Sequence, residues 1–181
     1  MSSKASDRVV ILDRDGTIVI DRGYLSEPDG LEFLPGAAAG LRDMHQRGYR
    51  LLVITNQSGV GRGLIPLQSL LAMNERLMRM MQQIDAPLER IYFCPHRPDE
   101  YCECRKPQLK LLTAAATELG FEPKRAVVIG DRSSDVEFGR RAGAATLLIS
   151  SNGLSSDGET STADHVVADL RAAALLLPTL Q

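Results

Sequence analysis

The chain has 181 residues, 44% hydrophobic and 24% charged, with 21 Lys and Arg against 23 Asp and Glu and a formal net charge of -2. That length suits one domain around one hydrophobic core, and the near-balanced charge argues against binding along a nucleic-acid backbone. Aromatics make up 4% and Trp is absent, which excludes a base-stacking platform.

Residues 1–7 are short and polar and are expected to be flexible; they hold no apolar leader, and an apolar run follows at once. No apolar run approaches the length that spans a bilayer. The three cysteines cannot all pair within the chain, so a reducing compartment, the cytoplasm, is expected.

In chain order, β-branched runs predict buried parallel strands over Val9 to Leu12, Leu51 to Ile54, Ile91 to Cys94, Ala126 to Ile129 and Thr146 to Ile149. Between them lie helical patterns over Pro35 to Gly48, Pro66 to Ile84, Pro107 to Gly120 and Ser134 to Gly143. The second carries Leu67, Leu70, Leu71, Asn74, Leu77, Met78 and Met81 on one face, which reads as core rather than a partner-binding groove. Asn152 to Thr162 reads as a loop, and Ala168 to Leu177 as a closing helix. There is no internal repeat, linker or second domain, so residues 1–181 read as one unit. This alternation predicts an α/β fold, a parallel sheet of about five strands with helices on both faces. Such sheets bind ligands at the carboxyl ends of their strands, where the polar clusters fall.

After the first strand comes Asp13-Arg14-Asp15-Gly16-Thr17. On an extended backbone residues two apart share a side, so both carboxylates can face one pocket and divide nucleophilic from acid–base work. A solvated turn is the bland alternative. After the second strand, Thr55-Asn56-Gln57-Ser58-Gly59 offers a hydroxyl and backbone N–H groups that suit phosphate oxygens. After the third strand, Cys94, His96, Cys102 and Cys104 fall within eleven residues, the ligand set of a closed tetrahedral Zn²⁺ site. Its expected task is to order the loop 94–107 and deliver Arg105 and Lys106 to the pocket. After the fourth strand, Gly130-Asp131-Arg132-Ser133-Ser134-Asp135 adds Asp131 to Asp13 and Asp15 in an oxygen-rich set suited to Mg²⁺. Asp135 also fits a carboxylate favoured by a helix N-terminus.

Together these residues resemble the haloacid dehalogenase (HAD) superfamily phosphatases. Asp13-x-Asp15-Gly16-Thr17, Thr55, Lys106 and Gly130-Asp131-x-x-x-Asp135 match the four family motifs in order, from Val9 to about Ile149. The resemblance narrows to the subgroup of D,D-heptose 1,7-bisphosphate and histidinol phosphatases. Gln57-Ser58-Gly59-Val60-Gly61-Arg62-Gly63 is similar to the heptose enzymes, since histidinol phosphatases often carry Asp at the place of Ser58. Asp21-Arg22-Gly23-Tyr24 resembles their substrate-contacting flap, whereas Arg132 stands where many of them have Lys.

The resemblance implies a Rossmann-like HAD core with a minimal cap and a zinc-stabilised loop. It implies a Mg²⁺-dependent phosphatase acting on the 7-phosphate of a heptose 1,7-bisphosphate through an aspartyl phosphate on Asp13. Asp15 is then acid and base, and Thr55 and Lys106 hold phosphoryl oxygens. Asp13, Asp131 and the Asp15 backbone carbonyl hold Mg²⁺. The expected substrate contacts are Asp21, Arg22, Gly23, Tyr24, Thr55, Asn56, Gln57, Ser58, Arg105, Lys106 and Arg132. The expected protein is a monomer acting on a small phosphorylated sugar. Rival readings are a histidinol-phosphate phosphatase, a DNA 3′-phosphatase module, and a non-catalytic sugar-phosphate-binding or zinc-stabilised scaffold protein. The DNA module is disfavoured by charge, and the non-catalytic protein by the full set of motif acids.

Overall fold

A computed structural model describes residues 8–180; the flexible stretch expected over residues 1–7 lies outside the described residues. Six strands, β1 (Val9–Leu12), β2 (Arg50–Asn56), β3 (Leu88–Cys94), β4 (Val127–Gly130), β5 (Ala145–Ile149) and β6 (His165–Val167), form one sheet in the order β3-β2-β1-β4-β5-β6. All neighbours are parallel. The helices are α1 (Ala37–Gln46), α2 (Ser58–Gly61), α3 (Leu67–Gln83), α4 (Lys110–Leu119), α5 (Ser133–Arg141) and α6 (Leu170–Leu176).

Strand alternation sorts the side chains into two cores. Val10 and Leu12 of β1 join Leu51, Val53, Val127 and Ile129 on one face, under α1, α3 and α6. Val9 and Ile11 join Leu52, Ile54 and Val128 on the other, with Leu112 and Ala115 of α4 and Phe138 of α5. Each such buried side chain contributes about 1.5–3 kcal/mol, several times what an exposed ion pair adds. The sandwich therefore fixes the strand register, and the register fixes the site.

β1 sits where the connections reverse direction, with β2 and β3 on one side and β4, β5 and β6 on the other. Leu12 pairs with Val53 and with Ile129, so three strands end together around one crevice.

Two elements were not expected. β6 is too short to show a period, and it forms because Leu147 to Ile149 offer a free ladder edge to His165 to Val167. The loop after β2 contains the single turn α2. The apolar stripe of α3 is also rotated from its expected position. Leu67 and Leu71 are exposed, while Met73 and Met80 are buried beside Leu70, Asn74, Leu77 and Met81. Among the described residues, no helix is long and apolar enough to cross a membrane.

Candidate active site

Asp13 continues the β1 ladder by one residue, its N–H donating to the Ile129 carbonyl at 3.0 Å. The chain then turns away through Gly16, whose φ of +78° a side chain would resist; a Cβ there would lie 2.4 Å from Asp131 Oδ2. Gly130 is constrained by space alone, since a Cβ would come within 2.3 Å of the Asp135 carboxyl. These close approaches let Asp13, Asp131 and Asp135, each under 10% exposed, bring one carboxylate oxygen apiece within 4.8 Å of one another. Lys106 closes the group. Its Nζ lies 2.6 Å from Asp13 Oδ1, 2.6 Å from Asp135 Oδ1, and donates to the Ile54 carbonyl at 2.6 Å.

Three buried acids against one lysine leave negative charge in excess. Burial, with the neighbouring Asp13 charge second, pushes the Asp131 carboxyl up to about 7. Burial also raises Asp135, against the pull of Lys106. Burial alone would lower Lys106, but the Asp13 and Asp135 carboxylates override it and hold the ammonium charged. A compact set of hard oxygen donors with unbalanced negative charge fits a Mg²⁺ ion.

The side-chain cluster is Asp13, Asp131 and Asp135; Asp15 was expected to offer the metal its backbone carbonyl, and its side chain is not part of the cluster. By Asp15 the backbone has left the strand, so the two-residue alternation no longer applies. Asp15 still lines the cavity, but its carboxylate accepts from Arg14 Nε at 3.2 and 3.1 Å and from Gln57 Nε2 at 2.7 Å. Burial raises its pKa, opposed by Arg14 and assisted by Asp13.

A cavity of about 470 Å³ opens above Asp13, Asp15 and Asp135. Asp21, Gly23, Tyr24, Asn56, Gln57, Ser58, Arg105, Lys106 and Arg132 line it. Two expected substrate contacts are not among these lining residues. Arg22 turns outward to Glu32 at 2.7 Å, and Thr55, 1% exposed, is buried where its hydroxyl accepts from Gln57 Nε2 at 3.1 Å. Arg105 Nη1 is buried with no hydrogen-bond partner. Arg132 reaches across to Asp21 at 3.0 Å. Sequence reasoning missed Ser134 and Asp157, which also line the cavity. Asp157 arrives from the loop read as bare connection, accepting from Ser133 Oγ at 2.6 Å; nothing in its local sequence signals this.

The zinc candidate lies behind Lys106. Sγ of Cys94, Cys102 and Cys104 and Nδ1 of His96 lie within 4.8 Å of one another. A tetrahedral Zn²⁺ with S₃N ligands requires S–S edges of about 3.8 Å and S–N edges of about 3.5 Å. The observed Cys94–Cys102 and Cys94–His96 distances are 3.7 and 3.5 Å, and the Cys104 contacts run from 3.1 to 3.8 Å. Three of these five distances match those edges and two are shorter, so the donor set is compatible with zinc. From this loop Lys106 is fastened to the site through Asn56, whose Oδ1 accepts from the Lys106 N–H at 2.9 Å.

A HAD-hydrolase-like family model matches residues 103–173. A D-glycero-beta-D-manno-heptose-1,7-bisphosphate 7-phosphatase of Haemophilus influenzae is 34% identical over 168 residues, 89% of this chain and 91% of that protein. The chain belongs to the HAD-like phosphatases. A second family member, the enzyme of that name from Helicobacter pylori strain J99, is 40% identical over 151 residues, 82% of this chain and 87% of its own length. Among solved structures, D,D-heptose 1,7-bisphosphate phosphatase from B. bronchiseptica, complexed with magnesium and phosphate, superposes with a TM-score of 0.81 at 29% identity. That match covers 95% of this chain and 98% of the other. The chain is thus a phosphoric monoester hydrolase with the parallel HAD core. The magnesium in that complex accords with the oxygen donors gathered here.

Proposed function

We propose that the chain hydrolyses the 7-phosphate of D-glycero-D-manno-heptose 1,7-bisphosphate, with Asp13 as nucleophile. One observation carries the reading: Asp13 sits at the cavity floor against Lys106, while two arginines, Arg105 and Arg132, line the same space. A bisphosphate presents two anions, one for Lys106 on the floor and one for the arginines. A single phosphoryl group would leave the buried Arg105 Nη1 without an acceptor.

Two unit charges of like sign 4 Å apart repel by about 4 kcal/mol at an effective dielectric of about 20, so carboxylate and phosphate do not meet unaided. Mg²⁺ held by Asp13, Asp131 and Asp135 would supply the compensating positive charge. Lys106, kept protonated by its two acid neighbours, orients a phosphoryl oxygen. An Asp13 oxygen attacks phosphorus, the ester P–O bond breaks, and its electron pair leaves on the sugar oxygen. Asp15 supplies the proton that this alkoxide needs. A water oxygen then attacks the phosphoryl group on Asp13, Asp15 takes the water's proton, and phosphate leaves with Asp13 restored. Thr55 accepts from Gln57 Nε2, which leaves its own O–H to donate to a phosphoryl oxygen. Zn²⁺ on Cys94, His96, Cys102 and Cys104 belongs to the same proposal, as the clasp of the loop that carries Arg105 and Lys106. A monomer working in the cytoplasm completes it, in keeping with the unpaired thiols.

The test is phosphate release over a panel holding heptose 1,7-bisphosphate, its 1-phosphate and histidinol phosphate, with and without Mg²⁺. The expected result is Mg²⁺-dependent release of one phosphate from the bisphosphate at the highest kcat/KM. Preference for histidinol phosphate would overturn the substrate assignment and leave the phosphatase chemistry standing.

A further inference from the structure

We infer that Arg14 is a positioning residue for the reaction, holding the Asp15 carboxylate through a buried fork that Asn74 and Gln57 anchor. The inference rests on the reading of Asp15 as acid and base. Arg14 occupies the place between two acids, where any residue would satisfy the spacing of the pair, yet it is only 3% exposed. Its guanidinium faces Asp15, with Nε at 3.2 and 3.1 Å from the two oxygens and Nη2 at 3.0 Å from Oδ2. The remaining donors point the other way. Nη1 donates to Asn74 Oδ1 at 3.1 Å, and Nη2 donates to Gln57 Oε1 at 2.9 Å. Gln57 closes the ring by donating from Nε2 to Asp15 Oδ2 at 2.7 Å.

Three segments are thus tied to one carboxylate: the turn after β1 and Gln57 just past β2 directly, and the middle of α3 through Arg14. Asn74 is the one polar side chain among the buried residues of α3, set between Leu70, Met73 and Leu77. A buried amide or guanidinium destabilises a core unless it is hydrogen-bonded, and here the partners of both lead to Asp15. A planar guanidinium can grip a carboxylate and a second acceptor at fixed angles; an ammonium is a point charge without that fork. The arrangement limits Asp15 to one orientation toward the cavity, which proton transfer to a leaving oxygen demands.

Leaving-group dependence separates positioning from general damage. The parameter kcat/KM reports steps up to phosphorylation of Asp13, where a sugar alkoxide needs a proton and a nitrophenolate does not. For Arg14→Lys and Arg14→Ala, we expect kcat/KM on heptose 1,7-bisphosphate to fall about 100-fold while that on p-nitrophenyl phosphate falls less than about threefold. The Mg²⁺ concentration for half-maximal rate should stay as in the wild type. Equal losses on both substrates, no loss on either, or full activity in Arg14→Lys would overturn the inference. Should Arg14→Ala fail to fold, Asn74→Ala, which removes only the outer anchor, should show the same substrate bias at about fivefold; an unbiased loss there would count equally against it. Asp15→Asn provides the control. If Asp15→Asn loses both substrates equally, the acid–base reading of Asp15 falls, and the inference with it. If Asp15→Asn discriminates and the Arg14 variants do not, only the inference falls.

Discussion

The acid cluster and the thiol cluster are both sets of side chains close enough to share one ion, but they are assembled by opposite means. Asp13 comes from one strand end, and Asp131 and Asp135 from another strand end and the helix after it, more than a hundred residues on; the sheet register presses their like charges together. Cys94, His96, Cys102 and Cys104 come from eleven consecutive residues, the first buried at the end of β3 and the other three half-buried in the loop after it. In the first site the fold does the work and the ion relieves repulsion. In the second, a bound Zn²⁺, as proposed, would itself order the chain, as in small zinc modules. Loss of a ligand should therefore have opposite structural consequences at the two places.

The largest expected effect is Asp13→Asn. Phosphate release should drop by at least about 10⁴-fold, as for loss of a covalent nucleophile. Because the change also removes a crowding charge, its melting temperature without Mg²⁺ should equal or exceed that of the wild type. A marked loss of stability would break the contrast. Cys102→Ser combined with Cys104→Ser should do the reverse. Zinc by metal analysis should fall from about one per chain to a trace, the melting temperature should drop by about 4 °C or more, and KM should rise about tenfold as Arg105 and Lys106 lose their support. Wild-type protein without zinc would remove that half of the comparison altogether.

Arg105→Ala tests the rim rather than either cluster. KM for the bisphosphate should rise about tenfold, equivalent to about 1.4 kcal/mol, with p-nitrophenyl phosphate nearly unaffected. A more modest effect is one of pH. The Asp131 carboxyl in the folded, metal-free protein is held up to about 7. Between the ordinary carboxylate range and that value, the folded state binds a proton that the unfolded chain has released. Metal-free stability should therefore decline as pH rises through this window, and Mg²⁺, which displaces the proton, should stabilise more at about pH 8 than at about pH 6. Thermal shifts with and without Mg²⁺ at the two pH values read this directly; a pH-independent shift would contradict it. The smallest expected effect is Asp21→Ala. This half-exposed partner of Arg132 should change stability by less than about 0.5 kcal/mol.

Much of the sheet was legible because a buried parallel strand writes itself as a β-branched run; β1 was read to the residue. β6 was not, since three residues carry no period and pair only because β5 leaves an edge. The metal-binding acids were half legible. Asp131 follows a strand directly, but Asp135 looks the same whether it serves a helix dipole or an ion, and only Lys106 from across the sheet separates the two. The approach of Asp135 to Asp13 was beyond the pattern, because the two carboxyls come from separate elements that only the fold brings together. Asn74 left a trace: a lone amide inside a Met-rich stripe is costly without a partner, and that partner, Arg14, is 60 residues away.

The crevice has a further consequence for the moment of synthesis. Asp13 is made early, yet its surroundings depend on β4 and on Asp135, and the Ser156 N–H donates to the Asp131 carbonyl at 2.7 Å from still later in the chain. A nascent polypeptide released before residue 156 would own every catalytic group while lacking that tether. Catalytic competence should thus arrive on the ribosome late and abruptly, making turnover a clock for completion of the sheet.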